Sequence, residues 1–246
     1  MANKKIRLGV NIDHIAFIKK SRDTLYPNLL DAVRIAEHAG ADLITIHLRE
    51  DRRHIQDKDA LDIRQYAKVL NFEMANTVEM IQFAITLKPD FCCIVPEKRE
   101  EKTTEGGLSL SSYTDKQIAS LKTTITDFRN HKIKTSLFID PDNRSIDIAK
   151  DVGADLVELH TGKYANQFNT INEFESLEEI STASRYAHSK DLLVNVGHGL
   201  NYENLSEICK LDHINEVNIG HAIIAQAVFT GLNDAIKKII SIIDNC

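Results

Sequence analysis

The sequence predicts an α/β protein: a single (β/α)8 barrel, the TIM-barrel architecture, with extra helices, in which residues 1–246 form one domain. Short apolar runs typical of buried strands alternate eight times with amphipathic stretches typical of helices. Histidines and carboxylates recur at the downstream ends of the apolar runs. The chain has 246 residues, of which 43% are hydrophobic, and this suits one barrel core better than two small domains.

The apolar runs place polar chemistry at one end of the predicted strands. The runs are Leu8–Asp13, Leu43–His47, Phe72–Met74, Cys92–Glu97, Leu137–Asp140, Leu156–His160, Leu193–His198 and Val217–His221. In a closed parallel barrel, the carboxyl ends of all strands meet on one face, where enzymes of this architecture place their catalytic groups. We therefore expect one site on that face.

The intervening stretches have helical periodicity. They are Asn28–His38, Asp57–Val69, Thr77–Leu87, Asp115–Asn130, Ser145–Asp151, Leu177–Ser189, Glu203–Lys210 and Ile223–Asp244. A near-repeat, Ala39–His47 against Val152–His160, indicates the same order in both copies: helix, glycine stop, strand, histidine. An open doubly wound sheet is the alternative. Eight units without a second domain favour the closed barrel.

The charge of the chain excludes some partners. A formal net charge of -6 and a pI near 5.9 argue against a nucleic-acid-binding surface, because such surfaces carry a net basic face. No apolar run is long enough for a signal peptide or a membrane span, so we expect a cytoplasmic protein with no membrane partner. An anionic ligand would have to meet a local basic pocket.

Two clusters at strand ends are candidates for binding. Asn11 and Asp13 share one side of their strand, although Asp13 capping the next helix explains that pattern equally well. The segment His47–His54 combines a strand-end histidine with Arg49, Arg52 and Arg53. A solvated charge run is the alternative here. Guanidinium groups bind phosphate oxygens in pairs, so the segment favours an anion-binding site.

Two acids in apolar strands are candidates for proton transfer. Strand alternation places Glu73 on the side opposite Phe72 and Met74, so Glu73 faces the barrel interior if Phe72 packs on the outer helices. A partly desolvated carboxyl there would have a raised pKa. Glu158 and His160 share parity and should both face inward. A structural ion pair is the alternative for Glu158.

Loops complete the predicted face. Gly197–Leu200 and Gly220–His221 follow the last two strands, where barrel enzymes often bind phosphate at a helix N-terminus. The charged segment 96–108 predicts a long loop and a candidate lid. The run Gly197–Tyr202 lacks the third glycine of the fingerprint of dinucleotide-binding proteins, so it gives little support to a nicotinamide cofactor. No compact metal-ligand spacing occurs, although dispersed ligands can converge in space, so metal dependence stays open at this point.

Taken together, these segments closely resemble the pyridoxine 5'-phosphate synthase family. The segments that carry the resemblance are Asn11–His14, His47–His54, Asn71–Ala75, Val95–Arg99, Thr103–Gly107, Glu158–Gly162, Gly197–Leu200 and Asn218–His221. The match runs from about residue 7 to the final helix, and His-Leu-Arg-Glu-Asp-Arg-Arg-His is its most specific motif.

The resemblance implies a cytoplasmic barrel enzyme of vitamin B6 synthesis. Such an enzyme condenses 3-amino-2-oxopropyl phosphate with 1-deoxy-D-xylulose 5-phosphate to give pyridoxine 5'-phosphate, inorganic phosphate and water. The resemblance implies no metal or redox cofactor. Its partners would be small phosphorylated substrates and further copies of the chain in a homo-oligomer, for which an octamer is the candidate.

The resemblance also assigns roles to residues. His47 and Glu73 would be proton acceptors, His198 the proton donor, and Glu158 a group that stabilises the transition state. Residues that would hold the aminoketone phosphate are Asn11, Arg22, Gly199, Gly220 and His221. Residues that would contact the deoxyxylulose phosphate are Asp13, His14, Arg49, His54 and Thr103.

Two rival functions use the same features. A phosphosugar isomerase or metal-assisted aldolase on this fold would use the same phosphate loops and a strand-end pair of histidine and glutamate. A non-catalytic barrel that binds a phosphorylated metabolite would need the loops but not the acid–base groups. The number of separate acid–base groups argues against the second rival.

Overall fold

Eight parallel strands close into a barrel in sequence order, which confirms the predicted fold class. A computed structural model describes residues 6–22, 24–97 and 106–246. The strands are β1 Arg7–Asn11, β2 Leu43–His47, β3 Leu70–Met74, β4 Phe91–Ile94, β5 Lys134–Ile139, β6 Leu156–His160, β7 Leu193–Gly197 and β8 Ile214–Ile219. Pairing of β1 with β8, in the register Leu8 to Val217, completes the closure.

Helices surround the barrel. They are α1 Asp13–Lys20, α2 Leu29–Ala39, α3 Asp57–Tyr66, α4 Val78–Leu87, α5 Asp115–Asn130, α6 Asn143–Val152, α7 Gly162–Gln167, α8 Glu173–Ser189, α9 Leu205–Cys209, α10 His221–Thr230 and α11 Leu232–Asp244, with a 3-10 turn at Leu110–Ser112. Within the described ranges, no helix is both long and apolar enough to cross a membrane.

The structure corrects several predicted boundaries, and two of these corrections change how the chain is divided into elements. The first apolar run does not continue as a strand to Asp13, because β1 ends at Asn11 and α1 begins at Asp13. The long helix predicted over Ile223–Asp244 is two helices, which are separated by Gly231 with a φ of 80°. That left-handed backbone favours glycine and ends α10. The short helices α1 and α7 were not predicted.

The near-repeat is confirmed and has a structural purpose. The helices α2 and α6 end at Gly40 and Gly153, whose φ angles are 109° and 88°. In each copy the following aspartate binds a neighbouring strand. Asp42 Oδ2 accepts the backbone N–H of Leu8 at 2.8 Å, and Asp155 Oδ2 accepts that of Thr135 at 2.9 Å. These aspartates satisfy backbone donors at the amino-terminal ends of β1 and β5.

Strand alternation sorts the side chains into two layers. Phe72 points outward and stacks on Phe83 of α4, with ring centroids 5.8 Å apart, as the sequence predicts. Cys92 joins the large core between strands and helices, whereas its neighbour Cys93 packs inside with Val95 and Phe138. The barrel interior is strongly polar: buried side chains there include Thr45, Asn71, Glu158, Asn195, Glu216 and Asn218.

The polar interior requires small residues on neighbouring strands. A Cβ at Gly9 of β1 would lie 1.9 Å from Oδ1 of Asn218, and a Cβ at Gly197 would lie 2.3 Å from Oε1 of Glu158. Glycine at both positions therefore leaves room for buried polar groups that hydrogen-bond one another.

We expect Gly9→Ala to destabilise the protein by about 1–3 kcal/mol, because the added methyl group forces Asn218 out of its hydrogen bonds. Denaturant unfolding monitored by circular dichroism measures the loss. Gly106→Ala is the matched control, since a Cβ at Gly106 meets nothing within 4 Å. Equal stability of the two variants would contradict the tight packing of Asn218.

Candidate active site

A cavity of about 470 Å³ lies at the carboxyl ends of the strands. Its lining contains most residues of the predicted site, from six strands or the loops that follow them. These residues are Asn11, Asp13, His14, His47, Arg49, His54, Glu73, Glu158, His198, Gly199, Gly220 and His221. Further lining residues include Phe17, Val95, Phe138, Asn201 and Asn218. The barrel thus brings together residues that are separated by more than 200 positions in the sequence.

The two remaining predicted residues are Arg22 and Thr103, and of these Arg22 is described and does not line the cavity. Arg22 follows α1 in an exposed turn. Thr103 and most of the predicted loop, residues 98–105, lie outside the described residues. The described end of that loop is bound to β5, because Gly107 donates its backbone N–H to Asp140 Oδ1 at 3.0 Å.

Asp13 connects the first two strand ends. Its backbone N–H donates to Asn11 Oδ1 at 2.9 Å, and its Oδ1 accepts the backbone N–H of His47 at 3.0 Å. The ring nitrogen Nδ1 of His54 lies 3.9 Å from the same oxygen. Asp13 is the first residue of α1 and holds β2, so it is not the cap of that helix. Burial raises the pKa of Asp13 to about 6, against the lowering effect of His47.

The arginine-rich segment after β2 divides between the cavity and the surface. Arg49 is buried and lines the cavity. Arg52 pairs with Glu79 and Asp57, and Arg53 pairs with Asp51, on the outside. Arg52 and Arg53 therefore fit the alternative interpretation of this segment, a solvated charge run. Arg49 alone of these three supplies a guanidinium to the cavity wall.

Glu97 is a site residue that the sequence reasoning did not single out. Its Oε2 lies 3.5 Å from Nε2 of His47, and its Oε1 lies 3.6 Å from Nε of Arg49. Oε1 also accepts the backbone N–H of Glu50 at 2.9 Å. Although burial acts in the opposite direction, hydrogen bonds and the charges of His47 and Arg49 lower the pKa of Glu97. This carboxylate fixes both side chains at the end of β2.

Two further carboxyls face the cavity from inside the barrel. Burial raises the pKa of Glu73 well above its ordinary value, and the nearby Glu158 and Asp13 raise it further. Burial also raises the pKa of Glu158 to about 8, with a further contribution from Glu216. Glu73 Oε2 is 4.0 Å from Nδ1 of His47. Both inward orientations match the parity argument from sequence.

His198 stands at the end of β7 in a left-handed conformation, with a φ of 82°. The hydroxyl of Thr161 donates to the carbonyl oxygens of Gly197 and His198, at 2.7 and 2.6 Å, and fixes this turn. The ring of His160 is 4.9 Å from that of His198, between centroids. Burial, followed by the charge of His160, lowers the pKa of His198 to about 4. The unliganded site therefore holds a neutral His198 at pH 7.

The end of β8 is suited to an anion. Gly220 precedes α10, and a Cβ there would lie 3.0 Å from Cβ of Asn11, so a larger residue would require Asn11 to shift. His221 begins the ten-residue helix α10. The positive end of the helix dipole and the free N–H groups of its first turn thus lie at the cavity wall. His14 stands next to His221, with ring centroids 5.0 Å apart.

One group of side chains has the chemistry of a cation site. Asp13, His47 and Glu73 each place a ligand atom within 4.8 Å of the other two. One histidine and two carboxylates are a ligand set that divalent metals accept. The sequence spacing gave no sign of this group, which leaves the metal-dependent rival to be tested by experiment.

The fold and this cavity define a barrel protein with an acid–base site at the carboxyl ends of its strands. The sequence profile of the pyridoxal phosphate biosynthesis protein PdxJ matches residues 8–245. The chain belongs to that family.

Individual relatives agree with the profile. A pyridoxine 5'-phosphate synthase of Thioalkalivibrio sulfidiphilus is 48% identical over 240 residues, which cover 97% of this chain and 96% of the relative. That of Sulfurihydrogenibium sp. is 50% identical over 244 residues, 98% of each chain. A mutant tryptophan synthase α-subunit of Pyrococcus furiosus has a TM-score of 0.64 at 12% identity, covering 99% of this chain and 98% of that one. This last similarity concerns the fold alone.

The raised pKa of Glu158 predicts a pH-dependent stability. A glutamate with an ordinary pKa of 4.5 in the unfolded chain and about 8 in the folded one stabilises the fold below pH 4.5 and loses that contribution as the pH rises to about 8. Glu158→Gln lacks this proton. We therefore expect the stability of the wild type relative to Glu158→Gln to fall between these values, by at most about 1.4 kcal/mol per pH unit.

Urea unfolding of both proteins at several pH values in this window measures the difference. Glu175→Gln, on the exposed face of α8, is the control and should give a constant difference. A difference between wild type and Glu158→Gln that does not change with pH would contradict the raised pKa.

Proposed function

We propose that this chain is a pyridoxine 5'-phosphate synthase, which condenses 3-amino-2-oxopropyl phosphate with 1-deoxy-D-xylulose 5-phosphate and releases inorganic phosphate and water. The observation that carries the proposal is the convergence of His47, Glu73, Glu158 and His198 in one cavity. The condensation needs a Schiff base between amine and ketone, deprotonation at carbon, and loss of phosphate and water. Each step moves a proton, so several acid–base groups around one cavity suit it.

The surroundings of each group support a particular role. His47 and Glu73 are neighbours and serve as proton acceptors on one side of the cavity. Glu158, buried and protonated at neutral pH, donates a hydrogen bond to oxygen that becomes negative in the transition state. His198, directly after β7, is the proton donor.

Substrate binding must adjust the protonation of these groups. His198 is neutral in the unliganded site, because burial lowers its pKa to about 4. A phosphate dianion bound beside it favours the charged imidazolium and raises that pKa. Burial raises the pKa of Glu73 and favours its protonated form. A protonated Schiff base beside it favours the carboxylate. The substrates thereby convert both groups to the forms that react.

Two phosphate sites are proposed in the cavity. The aminoketone phosphate lies at the α10 N-terminus, against Asn11, Gly199, Gly220 and His221, and Arg22 is assigned to the same phosphate. The deoxyxylulose phosphate is assigned to Asp13, His14, Arg49 and His54 of the lining, together with Thr103. Two such sites account for the arginine and the histidines that line the cavity of an acidic protein.

The same proposal includes a cytoplasmic homo-oligomer. Several large apolar side chains are exposed in the single chain, including Leu25, Tyr26, Val228 and Phe229, at 91, 73, 72 and 86%. Side chains of this kind are normally covered in an assembly. Sedimentation velocity on the purified protein tests this part, and a monomer would contradict it.

The first test is the reaction itself. We expect purified protein and the two substrates to give pyridoxine 5'-phosphate with a stoichiometric amount of inorganic phosphate. We expect the same rate in the presence of a metal chelator. Product is measured by chromatography and phosphate by a coupled assay.

The other outcomes distinguish the rivals. Loss of activity with chelator, restored by a divalent metal, would favour metal-assisted chemistry at Asp13, His47 and Glu73. Binding of a phosphorylated sugar by folded protein without any turnover would favour a non-catalytic barrel.

Glu73→Gln should lower kcat by about 100-fold or more, because it keeps the shape of the side chain and removes the proton acceptor. The KM values should change little, since the phosphate groups bind elsewhere. Glu175→Gln serves as the control for the substitution. An unchanged kcat in the folded Glu73→Gln protein would refute the assigned role.

A further inference from the structure

A chain of hydrogen bonds runs from the cavity to the opposite mouth of the barrel. Asn218 Nδ2 donates to Glu158 Oε2 at 2.9 Å and to Glu216 Oε1 at 3.1 Å. Glu216 Oε2 in turn accepts from Arg7 Nη2 at 2.6 Å. Glu158 and Asn218 line the cavity, whereas Arg7 is the first residue of β1, at the amino-terminal ends of the strands. The side-chain amide of Asn218 therefore connects the two buried carboxyls.

The orientation of the Asn218 amide is fixed by its other contacts. Its Oδ1 accepts the hydroxyl of Thr45 at 3.2 Å, and its Nδ2 faces the two acids. Glycine at position 9 leaves the space that this oxygen occupies. On the far side, Asn195 Nδ2 donates to Glu216 Oε1 at 2.9 Å. Glu216 thus has three donors, and neither amide can turn without losing a bond.

The charged groups in this chain of hydrogen bonds lie near Glu216 rather than near Glu158. The side chain of Glu216 is 1% exposed, and that of Arg7 is 32% exposed. A buried charge must be paired, and Arg7 provides the pairing cation. Burial raises the pKa of Glu216 to about 7, while Arg7 lowers it, and burial together with Glu216 raises the pKa of Glu158 to about 8. Arg7 thus favours the charged form of Glu216, and the charge of Glu216 favours the protonated form of Glu158.

Other titratable groups act on this pair from each neighbouring strand. Glu73 of β3 and Cys93 of β4 interact with Glu158 across the interior. Asp42, just before β2, acts on Glu216. Glu158 raises the pKa of both Glu73 and Cys93, and Asp42 raises that of Glu216. Arg7 is the cation of this set, and it lies on the Glu216 side.

We propose that Glu216 is a positioning residue for Glu158. Through the side-chain amide of Asn218, which both acids share, Glu216 holds the Glu158 carboxyl in place and keeps it protonated, and Arg7 is the counterion of Glu216. Glu216 itself does not line the cavity and touches no substrate. The proposal rests on the function proposed above, in which Glu158 donates a hydrogen bond to the transition state. It adds that the negative charge of Glu216, towards the amino-terminal mouth of the barrel, keeps the donor Glu158 protonated.

The test is Glu216→Gln. Glutamine has nearly the same shape and can still accept from Asn218 and Asn195, but it carries no charge. We expect the titration midpoint of Glu158 in the ligand-free protein to fall by about one pH unit or more, since a like charge has been removed. NMR of protein labelled with ¹³C at the glutamate carboxyl carbons measures it, and the spectrum of Glu158→Gln identifies the signal.

Kinetics provide a second readout. The alkaline limb of the kcat profile should move to lower pH in Glu216→Gln, with a smaller effect on KM. Glu179→Gln, which removes a surface pair with Lys163, is the control and should leave both the titration and the profile unchanged. If Glu216→Gln alone fails to fold with Arg7 unpaired, the double variant Arg7→Met/Glu216→Gln removes both charges and tests the same point.

The outcomes separate this inference from the proposed function. An unchanged Glu158 midpoint in folded Glu216→Gln, or in the double variant, overturns the positioning role whether or not the enzyme turns over. A lowered midpoint supports the role even if the wild type makes no pyridoxine 5'-phosphate, a result that would contradict only the proposed reaction. A lowered midpoint with a shifted kcat profile supports both.

Discussion

A closed parallel barrel has a single interior, and any carboxyl that points into it must be neutral, paired with a cation or hydrogen-bonded. This chain directs Glu73, Glu158 and Glu216 inward, so most of its unusual features follow from that constraint. The amides of Asn195 and Asn218 supply donors between the acids. Two glycines provide the space for these groups. The cavity therefore inherits carboxyls that keep their protons near neutral pH, which is a property that acid–base catalysis requires.

Contacts of Asp13 and Glu97 organise the part of the cavity at the end of β2. Asp13 binds the backbone at His47, and Glu97 binds the side chains of His47 and Arg49. Both contacts come from loops at the carboxyl ends of strands, where backbone groups are free to bind side chains. The site thus combines buried carboxyls on β3 and β6 with a histidine and an arginine that these contacts orient at the end of β2.

The sequence predicted the elements whose pattern is local. Alternation placed Glu73 and Glu158 inward and Phe72 outward, and the near-repeat gave two helix ends and two strands correctly. The boundary between β1 and α1 was not predictable in this way, because Ile12, Ile15 and Ala16 continue the apolar pattern through it. The break at Gly231 was missed because one glycine interrupts a pattern that is apolar on both sides.

Contacts across the barrel were beyond the reach of sequence patterns. The bond between Glu158 and Asn218 joins residues 60 positions apart and depends on the register of three strands. Glu97 was passed over because its role depends on the path of a loop. Substrate-binding assignments for Arg22 and Thr103 come from the family resemblance, and the cavity lining does not include Arg22.

The double attachment of Asp13 has a consequence for altering the specificity of this protein. Because the same residue begins α1 and holds the backbone of His47, a change in the first loop that enlarges the cavity also displaces His47, the proposed proton acceptor. The loops after β7 and β8 carry binding groups without such an attachment to the acceptor side. Directed evolution toward bulkier ketose phosphates should therefore accumulate substitutions around Leu200, Asn201 and Ala222 and leave the first loop intact.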